Sequence, residues 1–319
     1  MGGYGGPSPP RVVGMTTGDV RIGISGWRYA PWRRVFYPPG LPQRAELEYA
    51  SRQLGSIEVN GSFYSLQRPD SYRAWRAETP DGFVFSIKGP RFVTHMKKLA
   101  GVEVPLANFW ASGVLALEDR TGPVLWQLPP NLGFDADRLA RFFDLLPRST
   151  AAAARLAEQH DDKVPDGRAL TTVEQDRPLR HVLEVRHDTF VTPAFPELLR
   201  AHDVGLVVAD TAGRWPHLED LTSDVVYVRL HGESELYVSG YDDASLDRWA
   251  AKIRAWSTGA TPPDGPRVSP PAADRPRDVY VYFDNDVKVR APFDAMALAR
   301  RLGVGPAAQG GTGADAGLA

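Results

Sequence analysis

Ionisable side chains sit near the ends of four short apolar runs, where they are costly to bury. Ile57-Glu58-Val59-Asn60, Phe85-Ser86-Ile87-Lys88, Val182-Leu183-Glu184-Val185-Arg186-His187 and Val226-Tyr227-Val228-Arg229-Leu230-His231 share this form. A parallel strand covered on both faces normally reads as an unbroken apolar run. An ionised group inside one needs a partner, or a site that uses it. Glu58 and Glu184 are the candidates for giving and taking a proton, and His231 suits proton transfer near neutral pH. Lys88, Arg186 and Arg229 are expected to hold an anionic group, with Asn60 and Gln127 orienting it.

Side chains alternate along a strand, and a charge is not expected against an apolar helix layer. The inward phase is therefore assigned to Ser25, Glu58, Asn60, Ser86, Lys88, Glu184, Arg186, Arg229 and His231. Gln127 shares it, and Asp210 ends its own run; Asp284 and Asn285 have opposite phases. The inward ions balance, with Glu58, Glu184 and Asp210 against Lys88, Arg186 and Arg229. A purely structural ion network is thus one reading and a catalytic pocket the other.

These residues need a scaffold that gathers strand ends. Eight candidate strands are Arg21–Ser25, Ile57–Asn60, Phe83–Lys88, Val124–Leu128, His181–Arg186, Gly205–Asp210, Val225–His231 and Val279–Asp284. Apolar residues at helical spacing lie between them, over Glu46–Gln53, Ser71–Glu78, Asp135–Leu146, Pro193–Ala201, Ser245–Trp256 and Phe293–Leu302. A further helix is expected within Val102–Leu117, and the pattern after Trp215 is weak. Ser71 and Ser245 read as N-caps. The alternation predicts an α/β fold, a single-domain (β/α)8 TIM barrel with its site at the strand C-termini. A doubly wound sheet is the rival, but no Gly-x-Gly-x-x-Gly follows the first strand. The barrel is expected over 20–303, with insertions at 149–180 and 257–277 on the N-terminal face, away from the site. Residues 1–19 and 304–319 are expected to be disordered, and Met15 is a candidate natural start.

Two loops add chemistry. Trp27-Arg28-Tyr29-Ala30-Pro31-Trp32 followed by Phe36-Tyr37 is aromatic enough to stack on a base or sugar, or to brace itself. Lys88, Arg91, His95, Lys97 and Lys98 crowd the loop after the third strand and favour a phosphate or carboxylate.

Composition narrows the classes. Hydrophobic residues make up 43% and charged residues 24% of the 319, as in an ordinary soluble domain. A net charge of −2 gives no bulk reason for nucleic-acid binding, and 0 cysteines exclude thiolate chemistry and cysteine-held metals. No His-Glu-x-x-His or similar spacing occurs, so neither a metal nor another cofactor is expected. No run is long enough to span a bilayer and no signal peptide is evident, so the chain reads as cytoplasmic. Oligomeric state is not legible.

The ordered strings Gly23-Ile24-Ser25-Gly26-Trp27, Ile57-Glu58-Val59-Asn60, Phe85-Ser86-Ile87-Lys88, Leu125-Trp126-Gln127-Leu128-Pro129-Pro130, Leu183-Glu184-Val185-Arg186-His187 and Tyr227-Val228-Arg229-Leu230-His231-Gly232 carry a resemblance. They resemble the family called domain of unknown function 72, the YecE-like proteins. The resemblance spans roughly Val20 to Leu302 and implies a TIM barrel, without an activity. The chain departs from the family pattern at Arg34, at Asp284 before Asn285, and at Asp294-Ala295. Those departures make Asn285, rather than Asp284 or Asp294, the expected site residue of the last strand.

The leading expectation is an enzyme, hydrolase-leaning, acting on an anionic small molecule that is phosphorylated or sugar-like. Glu58, Glu184 and His231 would be catalytic. Asn60, Lys88, Gln127, Arg186, Arg229, Asn285 and Trp27 would bind substrate. The alternatives are a nucleic-acid-binding or processing protein and a non-catalytic scaffold.

Overall fold

Eight parallel strands close on themselves in sequence order in the computed structural model, which describes residues 17–305. They are β1 Val20–Ser25, β2 Ser56–Val59, β3 Val84–Lys88, β4 Thr121–Gln127, β5 His181–Glu184, β6 Gly205–Asp210, β7 Val225–Leu230 and β8 Asp278–Phe283. The helices are α1 Glu46–Ser51, α2 Gly61–Tyr64, α3 Pro69–Glu78, α4 Glu103–Ala111, α5 Ala136–Asp144, α6 Thr150–Ala157, α7 Ala194–Ala201, α8 Asp243–Thr258 and α9 Ala291–Leu302. This is the single-domain (β/α)8 barrel that the alternation predicts.

Strands β1, β3 and β6 end where expected, and the other five end sooner at their C-termini. Asn60, Arg186, His231 and Asp284 all fall just past the last ladder residue. Asn60 already has helical dihedrals and opens α2, so its amide stands at the mouth. No helix separates β6 from β7 among the described residues, as the weak pattern after Trp215 suggested.

Two expected caps are corrected. Helix α3 starts at Pro69, whose missing N–H is an orphan donor at that position anyway, so Ser71 lies inside it. Helix α8 is capped by Asp242, whose Oδ1 accepts from the Ser245 backbone N–H at 2.7 Å. The expected helix within Val102–Leu117 is broken by Gly113, at φ +118°, into α4 and a tighter turn over Val114–Arg120.

Inside the barrel, Val84, Leu125, Val182, Val207, Val225, Tyr227, Tyr280 and Tyr282 form a core separate from the outer one. The tyrosine hydroxyls are satisfied: Tyr282 meets Ser56 Oγ at 2.6 Å and Tyr227 meets Ser86 Oγ at 2.8 Å. This polar tyrosine layer is a floor beneath the strand ends. On the outer face Trp126 is fully buried, edge-on to Phe142 at 5.2 Å. A Cβ at Gly89 would stand 2.4 Å from the Trp126 ring, so the turn after Lys88 requires glycine.

The insertion at 149–180 is not confined to the N-terminal face. Its Asp161 bonds Asn108 Nδ2 at 2.8 Å, and Lys163 lies 4.8 Å over Phe92 in the loop that follows β3. Packing of α6 on α4 lifts the segment along the barrel wall toward the mouth. Gly18 and Asp19, expected to be disordered, bond to Ser257 and Asp278 at the opposite end. The expectations for residues 1–16 and 306–319, and for Met15, lie outside the described residues. No described helix is long and apolar enough to cross a membrane.

Candidate active site

Arg229 fills the centre of the upper barrel and is fully buried. Its Nε donates to Glu58 Oε2 at 3.1 Å, and its Nη1 donates to Glu184 Oε2 at 2.8 Å. Its Nη2 donates to Glu58 Oε1 and to Asp284 Oδ2, each at 2.8 Å. Glu58 also accepts from Ser25 Oγ at 2.9 Å and Tyr227 OH at 2.6 Å. Glu184 also accepts from Gln127 Nε2 at 2.9 Å and Arg186 Nε at 2.9 Å. Burial disfavours the charges of Glu184, Asp284 and Arg229, but mutual attraction reverses the outcome. The Glu184 carboxyl is held well below its usual range by Arg186 and Arg229 against the effect of burial. Burial likewise raises the Asp284 carboxyl, yet Arg229 and His231 bring it to about 2. Arg229 itself is held charged by its three carboxylates.

His231 belongs to the same layer. Its Nε2 lies 3.3 Å from Arg229 Nη1, and a guanidinium only donates, so Nε2 accepts. Its Nδ1 lies 3.1 Å from Asp284 Oδ2, off the line of a good hydrogen bond. Tyr237 closes over the ring edge-on at 5.3 Å.

Above this layer opens a cavity of about 710 Å³. Asn60, Lys88, Gln127 and Arg186 line it, as do Tyr29, Arg91, His95, Tyr237, Asp284 and Asp286. The Lys88 ammonium lies 4.4 Å over the Phe63 ring and pairs with no carboxylate among the described residues. Burial, and then the charge of Arg229, lower its pKa to about 8. Arg186 is pinned through Nε to Glu184 and stacks 3.8 Å over Trp215, leaving its terminal nitrogens without a protein acceptor among the described residues. Burial and the charge of Asp284 push Asp286 up to about 8, so its carboxyl is mostly protonated at neutral pH. Burial and the charge of Lys88 lower His95 to about 4, leaving a neutral imidazole.

The family model described as "Protein of unknown function DUF72" matches residues 21–314. The chain belongs to this family. It is 29% identical over 129 residues to the UPF0759 protein YecE of Escherichia coli K12, covering 40% of this chain and 44% of that protein. It is 26% identical over 122 residues to the UPF0759 protein YunF of Bacillus subtilis, 35% of this chain and 40% of that one. The matched stretch thus spans less than half the length of either curated relative. A DUF72 family crystal structure from Thermotoga maritima superposes with a TM-score of 0.66 at 22% identity, covering 89% of this chain and 99% of that chain. One from Enterococcus faecalis gives 0.65 at 14% identity, with 89% and 96% covered. Both show the shared fold.

Within this DUF72 barrel the expected site residues divide into three groups. Asn60, Lys88, Gln127 and Arg186 reach the cavity, whereas Glu58, Glu184, Arg229 and His231 form the layer beneath it. Trp27 and Asn285 lie elsewhere. Trp27 is buried edge-on to Trp75 at 5.2 Å, so the first loop braces itself and only Tyr29 of its aromatics faces the cavity. Asn285 is fully buried behind β8, donating to Asp294 Oδ2 at 2.9 Å and Ser239 O at 3.0 Å. Tyr280, Tyr282 and Asp284 share the inward phase, which reverses the expected order of Asp284 and Asn285. Asp210 also leaves the inward set: it follows inward Ala209 and accepts from Tyr241 OH at 3.0 Å.

Asp286 was not anticipated. Its two-residue offset from Asp284 was a readable signal, but it lies past the strand end, where alternation stops being a guide. Among the described residues no three His, Asp or Glu side chains converge as a metal site.

Proposed function

We propose that this DUF72 barrel is an enzyme that binds an anionic small molecule, phosphorylated or sugar-like, in the mouth cavity. One observation carries the reading. The ionised carboxylates of the layer are turned onto Arg229, while Lys88 and the outer end of Arg186 face the cavity without carboxylates of their own. With Asp286 protonated and His95 neutral, Lys88, Arg91 and Arg186 outweigh the ionised Asp284 and leave the cavity positively charged near pH 7. A planar guanidinium fixed at one edge presents two parallel donors, which suits a phosphate or carboxylate. The amides of Asn60 and Gln127 line the same space and suit sugar hydroxyls.

The proton-transfer roles move upward from the expected glutamates. Glu58 and Glu184 are saturated with donors and serve as anchors for Arg229 and Arg186. Asp286 is a carboxylic acid able to donate, and His95 an imidazole able to accept. Two titratable groups whose environments push them apart suit acid and base roles.

Differential scanning fluorimetry with inorganic phosphate, sugar phosphates and sugar acids tests the reading. A ligand bound only by the folded state raises the melting temperature. The expected result is a dose-dependent rise, lost in folded Arg186→Ala and unaffected by Arg34→Ala. No shift with any anion would overturn it.

A further inference from the structure

We infer that Lys88 is a covalent catalyst, its side-chain amine forming a Schiff base with the carbonyl carbon of an anionic aldehyde or ketone held in the mouth cavity. The inference rests on the anion-binding reading for its substrate class and goes beyond it in the chemistry.

The geometry separates Lys88 from Arg229 and Arg186. Arg229 has its donors committed to three carboxylates. Arg186 is committed through Nε to Glu184, and its plane is fixed on Trp215. Lys88 has neither a carboxylate nor a hydrogen-bond acceptor among the described residues, and the face of Phe63 is what its Nζ meets. A lysine meant only to bind a charge gains from a partner that fixes its direction. This one stands at a strand end, buried and facing a cavity, in the setting that turns an ammonium into a nucleophilic amine.

The charged surroundings act in the same direction. Burial and the nearby Arg229 lower the Lys88 pKa, against Glu58, Glu184 and Asp284, leaving a sizeable neutral fraction near pH 8. His95 packs edge-on against Phe63 at 5.1 Å, so it flanks the ring that Lys88 covers. Because Arg186 supplies the donors for the anion, Lys88 is not needed for that task.

The step balances. The neutral Nζ attacks the carbonyl carbon, a C–N bond forms, and the C=O π pair moves to oxygen. Neutral His95 takes the proton released from nitrogen and returns it to the alkoxide, giving a carbinolamine. Protonated Asp286 then gives its proton to the departing hydroxyl, which leaves as water. The product is a protonated imine, and no oxidant, reductant or metal is required.

Borohydride trapping tests this on the intact chain. The protein is treated at pH 7.5 with substoichiometric pyridoxal 5′-phosphate, an aldehyde bearing a phosphate, then reduced, and the label is mapped across Lys88, Lys97, Lys98, Lys163, Lys252 and Lys288, the full lysine complement. Lys88 is expected to take at least about tenfold more label than any other lysine, since each unit of lowered pKa raises the amine fraction about tenfold. Inorganic phosphate should compete, and Lys88→Arg, confirmed folded by circular dichroism, should lose the selective label. Label spread over the exposed lysines with Lys88 spared would overturn the inference, even if phosphate still stabilises the protein and the anion reading survives. Selective label at Lys88 with phosphate-free pyridoxal reacting equally well, and no competition by phosphate, would support the amine chemistry while removing the anion reading.

Discussion

Arg229 and Glu58 meet edge to edge across the barrel, with Nε to Oε2 at 3.1 Å and Nη2 to Oε1 at 2.8 Å, both side chains fully buried. Strands β7 and β2 are not neighbours: β8 and β1 lie between them. The pair is therefore a transverse tie, and it holds the floor on which the mouth cavity rests. Removing Arg229 would leave Glu58 without a cationic partner, Glu184 with Arg186 alone and Asp284 with only His231 beside it. Breaking a buried pair this way costs about 3–5 kcal/mol. Arg229→Met should lower the urea midpoint accordingly, and a change under about 1 kcal/mol would show that the layer is not a structural frame.

Arg186 should behave differently. Losing its Nε contact leaves Glu184 paired to Arg229 and bonded to Gln127. Arg186→Ala should therefore destabilise by only about 1–2 kcal/mol. Its apparent affinity for phosphate or a sugar phosphate, read by titration calorimetry, should fall about tenfold or more.

Lys88 makes the opposite prediction for stability. Its folded-state pKa is lowered to about 8, so the buried charge opposes folding below that pH. The unfolded chain binds the extra proton between about pH 8 and the ordinary lysine pKa of about 10.4, and stability should rise with pH across that window. Lys88→Met should stabilise the protein at pH 7 by about 1–2 kcal/mol while leaving the anion-induced shift carried by Arg186 in place. Destabilisation instead would place Lys88 among the structural ions.

Asp286 has a raised folded-state pKa, about 8, set by burial and by Asp284. Between about pH 4 and 8 the folded state therefore holds a proton that the unfolded state has released. Stability falls as pH rises through that window. Asp286→Asn should flatten the fall, measured as the urea midpoint from pH 5 to 8.5. An unchanged slope would mean that Asp286 is ionised in the folded protein.

Trp27 braces the first loop against Trp75 and Phe85. Trp27→Ala should cost about 3–5 kcal/mol, as for other buried aromatics. Ligand affinity of the folded variant should be unchanged. A selective loss of affinity for single-stranded oligonucleotides, with stability retained, would restore a stacking role for the loop.

Charge in an apolar run was a sound guide to phase. Glu58, Lys88, Gln127, Glu184 and Arg229 were legible as inward because a strand has only two faces and one of them meets apolar helices. Strand–helix alternation likewise determined the barrel, since eight such units have few ways to bury both faces of a parallel sheet. Past the strand ends that logic stops. Asp286, and the exchange of Asp284 for Asn285, depend on how the chain turns after β8. What the sequence could not divide was the set of charges itself. Glu58 and Lys88 are equivalent as inward ions in one dimension, yet one is tied to Arg229 and the other faces the cavity. Only the tertiary structure decides that, because pairing across a barrel depends on distances between strands far apart in sequence.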